Sequence, residues 1–255
     1  SLKNAYEEEL IPMFQEAHPG IAVTGTYDSS GKLQAQIEEG LEADVFMSAA
    51  VTQMNALDEE GLIREGSIVN LLENKIVLIV PASSHSELAS FEDIGKAGSI
   101  ALGDPASVPA GQYAEEALTS LGLWDSIQDK VSFGTNVTEV LNQVAASSAD
   151  AGIVYATDAA SMPEDVTVVA EAPEGSLSQP VIYPVAVVAA SSHPEEAQAI
   201  VVLPVIEKDK SWKDHYEYQY LTAKNLCISL YDACGQGLTF EDELGRIVIC
   251  MFAGK

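Results

Sequence analysis

The stretch "GDPASVPAGQYAEEAL", residues 103–118, decides how the rest of the chain reads. An aspartate, two prolines and two glycines lead into a helical pattern whose first turn is expected near Gln112. Pro and Gly clustered with small residues mark a turn, and the apolar spacing of Tyr113, Ala114, Ala117 and Leu118 marks the helix after it. Just upstream, "GSIALGDP" (98–105) has the apolar run of a buried strand. Strand, loop and helix N-terminus therefore follow one another. A helix start presents unpaired backbone N–H groups and roughly half a positive charge from the aligned peptide dipoles. The loop holds no Lys, Arg or His, so a ligand there would be held by dipoles alone.

The same alternation runs outward in both directions. Toward the N-terminus come a helical stripe over Lys3–Glu16 stopped by His18-Pro19-Gly20, and a strand, "IAVTGTY" (21–27). A helix in "SSGKLQAQIEEG" follows, capped by Ser29 or Ser30, then a short buried strand, "ADVFMSAA" (43–50), and a helix closed by Gly61. "NKIVLIVPAS" (74–83) is a continuous apolar strand. Toward the C-terminus lie the strand "KVSFG" (130–134), a helix starting at Asn136 and the strand "AGIVYATDA" (151–159). The strands "VTVVAEAP" (166–173) and "QPVIYPVAVVAA" (179–190) precede a helix over 192–202 with Pro194 in its first turn. Strands alternating with helices of about 10–15 residues mean βα units and a mostly parallel sheet. There are too many units for one compact sheet, which points to two lobes. The two long apolar strands are then the candidates for the connections between them.

Composition narrows the function. The formal charge is −27, from 39 acidic and 12 basic residues, which excludes nucleic acid and anionic membrane surfaces as partners. It fits a monomer kept soluble by its own field. No apolar run approaches the roughly 18 residues of a membrane span. Because Ser1-Leu2-Lys3 opens directly into a helical pattern, the protein is either cytoplasmic or exported with its leader removed. The tail differs from the rest: residues 1–200 carry 31 acidic and 6 basic residues, residues 201–255 carry 8 and 6, and Cys227, Cys234 and Cys250 all lie in the tail. Three cysteines without metal-ligand spacing allow at most one internal disulfide.

Enzyme signatures are thin. His18 and His193 precede proline and His85 sits in "SSHSE", which leaves His215; there is no G-x-S-x-G, H-E-x-x-H, phosphate-loop or dinucleotide motif. Asp44, Asp104 and Asp158 lie near strand ends, so a hydrolase or transferase using Asp104 or Asp158 with a histidine is the alternative function. Helix starts carry the stronger signal. "YDSSG", "VPAGQ" and "GTNV" each place small residues ahead of a helix, and several such starts aimed at one point make an anion site without cationic side chains. Serine hydroxyls, and Tyr155 at the end of "GIVY", would add donors. A donor-only pocket suits a tetrahedral dianion and rejects a protonated phosphate.

These stretches resemble one family. "SLKNAYEEELIPMFQEAHPGIAVTGTYDSSGKLQAQIEEGLEADVFMSAA", "GDPASVPAGQYAEEALTSLGLWD", "AGIVYATDA" and "YPVAVV" are similar, in order and over residues 1 to about 200, to the periplasmic molybdate-binding proteins of ABC transporters. The resemblance implies an α/β, two-lobed periplasmic-binding-protein fold of type II, with mostly parallel sheets flanked by helices and two crossing hinge strands. On that basis residues 1–79 and 184–203 form the first lobe, 80–183 the second, and 204–255 an atypical C-terminal segment. It implies a molybdate or tungstate ligand held by Ser1 and Ser30, the backbone N–H groups of Ala110 and Val137, and the hydroxyl of Tyr155. No catalytic residue, metal-cation ligand or cofactor is expected. The partner would be the membrane permease of an ABC transporter, and the location periplasmic or extracellular, with lipid anchoring left open. Two departures stand out. The family's first-lobe strand ahead of "SL" is absent, which should leave a gap in that sheet. The segment from Pro204 onward does not resemble the family's closing helices, as a frameshift, a fused fragment or an extra element docking on the sheet would each explain.

Overall fold

The computed structural model describes residues 3, 6–84, 87–201 and, as backbone, 245–252. Two five-stranded sheets organise it, with strand orders β1-β10-β2-β9-β3 and β6-β5-β7-β4-β8. The first contains β1 (Ile21–Asp28), β2 (Val45–Met47), β3 (Val69–Asn74), β9 (Val181–Val187) and β10 (Gly245–Phe252). The second contains β4 (Ile76–Pro81), β5 (Ile100–Gly103), β6 (Val131–Gly134), β7 (Ala151–Tyr155) and β8 (Val166–Glu171). Among the described residues eight α-helices flank them: α1 (Ile11–Ala17), entered through a π-helical turn at Tyr6–Leu10, α2 (Ser30–Glu38), α3 (Val51–Glu59), α4 (Pro109–Ser120), α5 (Trp124–Ile127), α6 (Val137–Ala145), α7 (Ala156–Ala160) and α8 (Pro194–Val201).

Each sheet is half parallel and half antiparallel, where a mostly parallel pairing was expected. β1, β10 and β2 run parallel, as do β6, β5 and β7, but β9 is antiparallel to β2 and β3, and β4 to β7 and β8. The reason is the crossing. β3 passes into β4 through Lys75 alone and so carries the chain from one sheet to the other, and β9 returns it after Glu171. A chain that leaves and re-enters a sheet this way pairs its crossing strands in opposite directions. By sheet membership the changeovers fall at Lys75 and between Glu171 and Val181, rather than at 79/80 and 183/184. β4 is buried along all six residues between β7 and β8, which accounts for its unbroken apolar run.

The expected gap in the first sheet is filled. β10, from the atypical tail, lies between β1 and β2 and pairs in parallel with both: Ile21↔Gly245 through Asp28↔Phe252 on one side, Val45↔Ile249 through Met47↔Met251 on the other. The tail thus supplies an element that docks within the sheet. Cys250 is in this strand; Cys227, Cys234 and His215 lie outside the described residues, as does His85.

Two smaller corrections bear on the site. "AGIVYATDA" is strand only to Tyr155 and then turns into α7. α4 begins at Pro109, ahead of the expected Gln112, because Pro at the first helical position is preset for helix and has no N–H to leave unpaired.

Candidate functional site

Three helix starts and one strand end meet in a cleft between the two sheets. It is lined by Asp28, Ser29, Ser30, Ala49, Val108, Pro109, Ala110, Asn136, Val137 and Tyr155, around roughly 240 Å³ of space that is partly open to solvent. Ser30, Ala110, Val137 and Tyr155 are therefore brought together as the sequence predicts. Ser1 lies outside the described residues. None of the lining residues carries a positive side chain.

On the first side, β1 ends at Asp28 and Ser29 is extended, with φ −64° and ψ 147°, as the cap of α2. Ser30 is fully buried, and its Oγ accepts the N–H of Ala49 at 2.9 Å. With a lone pair so engaged, the hydroxyl proton is free to point into the cleft. Ser29 Oγ is buried and has no hydrogen-bond partner among the described residues, so a second hydroxyl is available beside it. Asp28 is the one acidic residue of the lining; its Oδ1 accepts from the Ser29 N–H at 2.8 Å and from Lys32 Nζ at 3.2 Å, which partly neutralises it.

The second side is built on α4 and α6. Asp104, a candidate catalytic residue on sequence grounds, instead shapes the loop: its carboxylate accepts the Ala106 N–H at 3.0 Å and its carbonyl those of Ser107 and Val108. Val108 is the extended cap, Pro109 opens the helix, and the N–H of Ala110 has no intrahelical acceptor at this position. Gly111 is needed here, because a Cβ would run into the carbonyl of Gly103; its absence lets the helix start sit directly on the end of β5. At α6, Asn136 Oδ1 accepts the Glu139 N–H at 2.9 Å, and the Glu139 carboxylate accepts from the N–H and hydroxyl of Thr135 at 2.7 and 2.9 Å. This reciprocal cap holds the Glu139 carboxyl below its ordinary pKa and leaves the first helical N–H, that of Val137, unspent.

Tyr155 closes the arrangement. It is 1% exposed, set edge-on between Tyr113 and Tyr183 with ring centroids 6.5 and 5.4 Å away, and its hydroxyl donates to the Ala49 carbonyl at 3.2 Å. Burial pushes its pKa well above 10, so the phenol stays protonated and acts as a donor. Below it, Asn74 Nδ2 donates to Thr157 Oγ1 at 2.9 Å and to Tyr183 Oη at 2.5 Å, pinning the crossing strands at the floor of the cleft.

Sequence reasoning missed Ala49, which has no functional side chain but ties Ser30 to Tyr155 through its own N–H and C=O. It also passed over Asn136 as a pocket-lining residue, although it read the helix start there. A second candidate acid, Asp44, accepts from Ser191 Oγ at 2.7 Å and lies 3.5 Å from His193 Nδ1, ahead of β2 and so at the end of that strand away from the cleft. Among the described residues no cluster of His, Cys, Asp and Glu is arranged to hold a metal ion.

Known proteins match this architecture. The family described as bacterial extracellular solute-binding protein matches residues 1–201. An ABC transporter substrate-binding lipoprotein of Bacillus subtilis, YvgL, is 38% identical over 213 residues, covering 84% of this chain and 80% of that protein. The molybdate-binding protein ModA of Haemophilus influenzae is 40% identical over 186 residues, covering 71% and 72%. Among solved structures, the substrate-binding domain of a molybdenum ABC transporter from Clostridium difficile superposes with a TM-score of 0.59 at 37% identity, covering 77% of this chain and 85% of that one. The Azotobacter vinelandii periplasmic molybdate-binding protein superposes with a TM-score of 0.64 at 22% identity, covering 88% and 91%, and shares the type II fold. With its two crossing strands, its interlobe cleft and these relatives, the chain belongs to the bacterial extracellular solute-binding protein family.

Proposed function

We propose that the protein binds a tetrahedral oxyanion, molybdate and also tungstate, in the cleft and delivers it to the permease of an ABC transporter. The observation that carries this reading is the convergence of three helix starts on a pocket without a cationic side chain. Ser30 Oγ–H and the N–H groups of Ala110 and Val137 are the donors, joined by Tyr155 Oη–H once it turns from the Ala49 carbonyl to the anion, with Ser1 as a further ligand. Backbone dipoles at short range stabilise an anion without relying on the overall field, which at −27 opposes it. Relatives named as molybdate-binding proteins support the choice of ion. A role outside the cytoplasm, with or without a lipid anchor, follows from the same family; no helix among the described residues is long and apolar enough to cross a membrane.

The test is a thermal-unfolding titration of the full chain with molybdate, tungstate, sulfate and phosphate at equal ionic strength. At about 100 times its Kd a ligand adds roughly 2.7 kcal/mol, or roughly 5–10 °C for a chain of this size. Shifts with molybdate and tungstate alone are expected. A cooperative transition that none of the four anions moves would overturn the assignment.

A further inference from the structure

Beyond the anion pocket and the Asn74–Thr157 bond at its floor, a side-chain contact joins the two halves of the cleft. Gln53 on α3, 4% exposed, donates from Nε2 to Gln112 Oε1 at 3.1 Å, and Gln112 on α4 donates from its own Nε2 to the Pro105 carbonyl at 3.1 Å. The two helices are those that start directly after the site loops: α3 follows Ala49, and α4 carries Ala110 in its first turn. We infer that Gln53 and Gln112 form a latch that holds the lobes closed over the bound anion, and so set its affinity and release without touching it. The inference rests on the binding reading above.

The chemistry suits a latch that also lets go. A neutral amide pair in a half-buried seam is not switched by pH and, unlike an ion pair, is insensitive to salt. Only half of Gln53 is satisfied: its Oε1 is buried and has no partner among the described residues. Closure therefore gains one hydrogen bond while stripping water from a carbonyl, so the latch is weak enough to open. This asymmetry makes the two residues unequal. Removing Gln112 strands both polar groups of Gln53 in the closed form and takes a donor from Pro105. Removing Gln53 eliminates the stranded carbonyl together with the bond.

Gln53→Met and Gln112→Met keep side-chain length and helix propensity. Calorimetric titration with molybdate should show Kd raised about 5–30-fold by Gln112→Met and only about 2–5-fold by Gln53→Met. The double variant should bind no worse than Gln112→Met, since no amide is left stranded. Melting of the free proteins should agree within about 2 °C, because the contact lies between the lobes and outside either core. Should Gln112→Met fail to fold, Gln53→Met, which leaves the Pro105 contact intact, carries the test. Wild-type affinity in both single variants overturns the latch while leaving the binding reading in place. If the wild type binds no oxyanion, the binding reading falls instead. Small-angle scattering then decides the latch: free Gln112→Met should have a larger radius of gyration than wild type, and an equal radius overturns it.

Discussion

Replacing Gly31 by alanine should separate closure from stability. Gly31 is in the first turn of α2; its N–H donates to the Ser107 carbonyl at 3.2 Å, across the cleft. A Cβ at this position would lie 2.6 Å from Ser107 O, 2.9 Å from its Cα and 3.0 Å from its carbonyl carbon, all backbone atoms that no rotamer change can move. Ordinary contact begins at 3.4 Å, so the lobes would have to part by roughly 0.8 Å at this point. Forcing a methyl into packed surroundings costs about 1–3 kcal/mol, and the lengthened hydrogen bond about 1 more. A combined loss of about 2–4 kcal/mol from the closed form weakens molybdate binding roughly 30–700-fold. Neither lobe alone is disturbed, and alanine is the better helix former by up to about 1 kcal/mol, so the melting temperature of the free protein should hold or rise slightly. Calorimetric titration with molybdate, alongside melting of the free protein, reads both quantities. Gly95→Ala is the control, because its Cβ meets nothing within 4 Å. Binding by Gly31→Ala within about twofold of wild type would refute the reasoning, since the anion would then be held without this approach of α2 to the Asp104–Val108 loop.

Three further outcomes follow from the same geometry. Tyr155→Phe removes a buried hydroxyl that would face the anion; calorimetry should show affinity falling about 10–150-fold, as a hydrogen bond to a charged group contributes about 1.5–3 kcal/mol, and the free protein's melting should fall by a few degrees because the Ala49 carbonyl loses its donor. Ile249→Pro removes an N–H from β10 at the position paired with both Gly25 and Val45, and proline is not accommodated inside a sheet; melting should drop roughly 5–10 °C, while Ile249→Val should melt like wild type. Glu139→Gln weakens the α6 cap. Because the folded carboxyl has a lowered pKa, its contribution is present above the unfolded value near 4.3 and is lost as pH falls through the folded one. The melting difference from wild type should therefore be a degree or two at about pH 6–7, given solvent screening at this partly exposed site, and close below about pH 4.

How legible was this in the residues? Patterns with one local cause read correctly. The apolar run 76–81 was a buried strand because both its faces are covered, and Asn136 was a helix start because its side chain can accept from the N–H three residues on. The helix starts that line the cleft were legible for the same reason: a helix start exposes N–H groups wherever it lies. What failed was non-local. "VNLLEN", residues 69–74, was not read as a strand, because β3 is a partly exposed edge whose burial comes only from β9, over a hundred residues away. Ala49 was invisible because its contribution is a peptide group, and any residue type has one. Its placement depends on β2 ending where Ser30 and Tyr155 can reach it. Residues 156–160 looked like a continuing strand because alanine-rich stretches are apolar in either conformation, and only the crossing at Lys75, whose carbonyl accepts the Ala156 N–H at 2.9 Å, turns the chain there.

The tail shows how far composition can mislead about place. Its charge balance, aromatic content and cysteines set it apart, and a frameshift, a fused fragment and an element docking on the sheet all fit that composition. In the sheet, β10 is an interior strand, between β1 and β2 with ladders on both edges. The two strands it joins end at Asp28 and Met47, and the residues just after them include Ser29, Ser30 at the start of α2, and Ala49. Its last paired residues, Met251 and Phe252, stand opposite Met47 and Asp28, so the strand ends at the level of the cleft. The hydrogen bond from Ala49 N–H to Ser30 Oγ then spans two loops whose spacing is set by the width of β10, about 4.8 Å on either side. A strand from the end of the chain, foreign in composition, thereby holds the first-lobe half of the site in register, and an anion bound there reports on whether the sheet beneath it is whole.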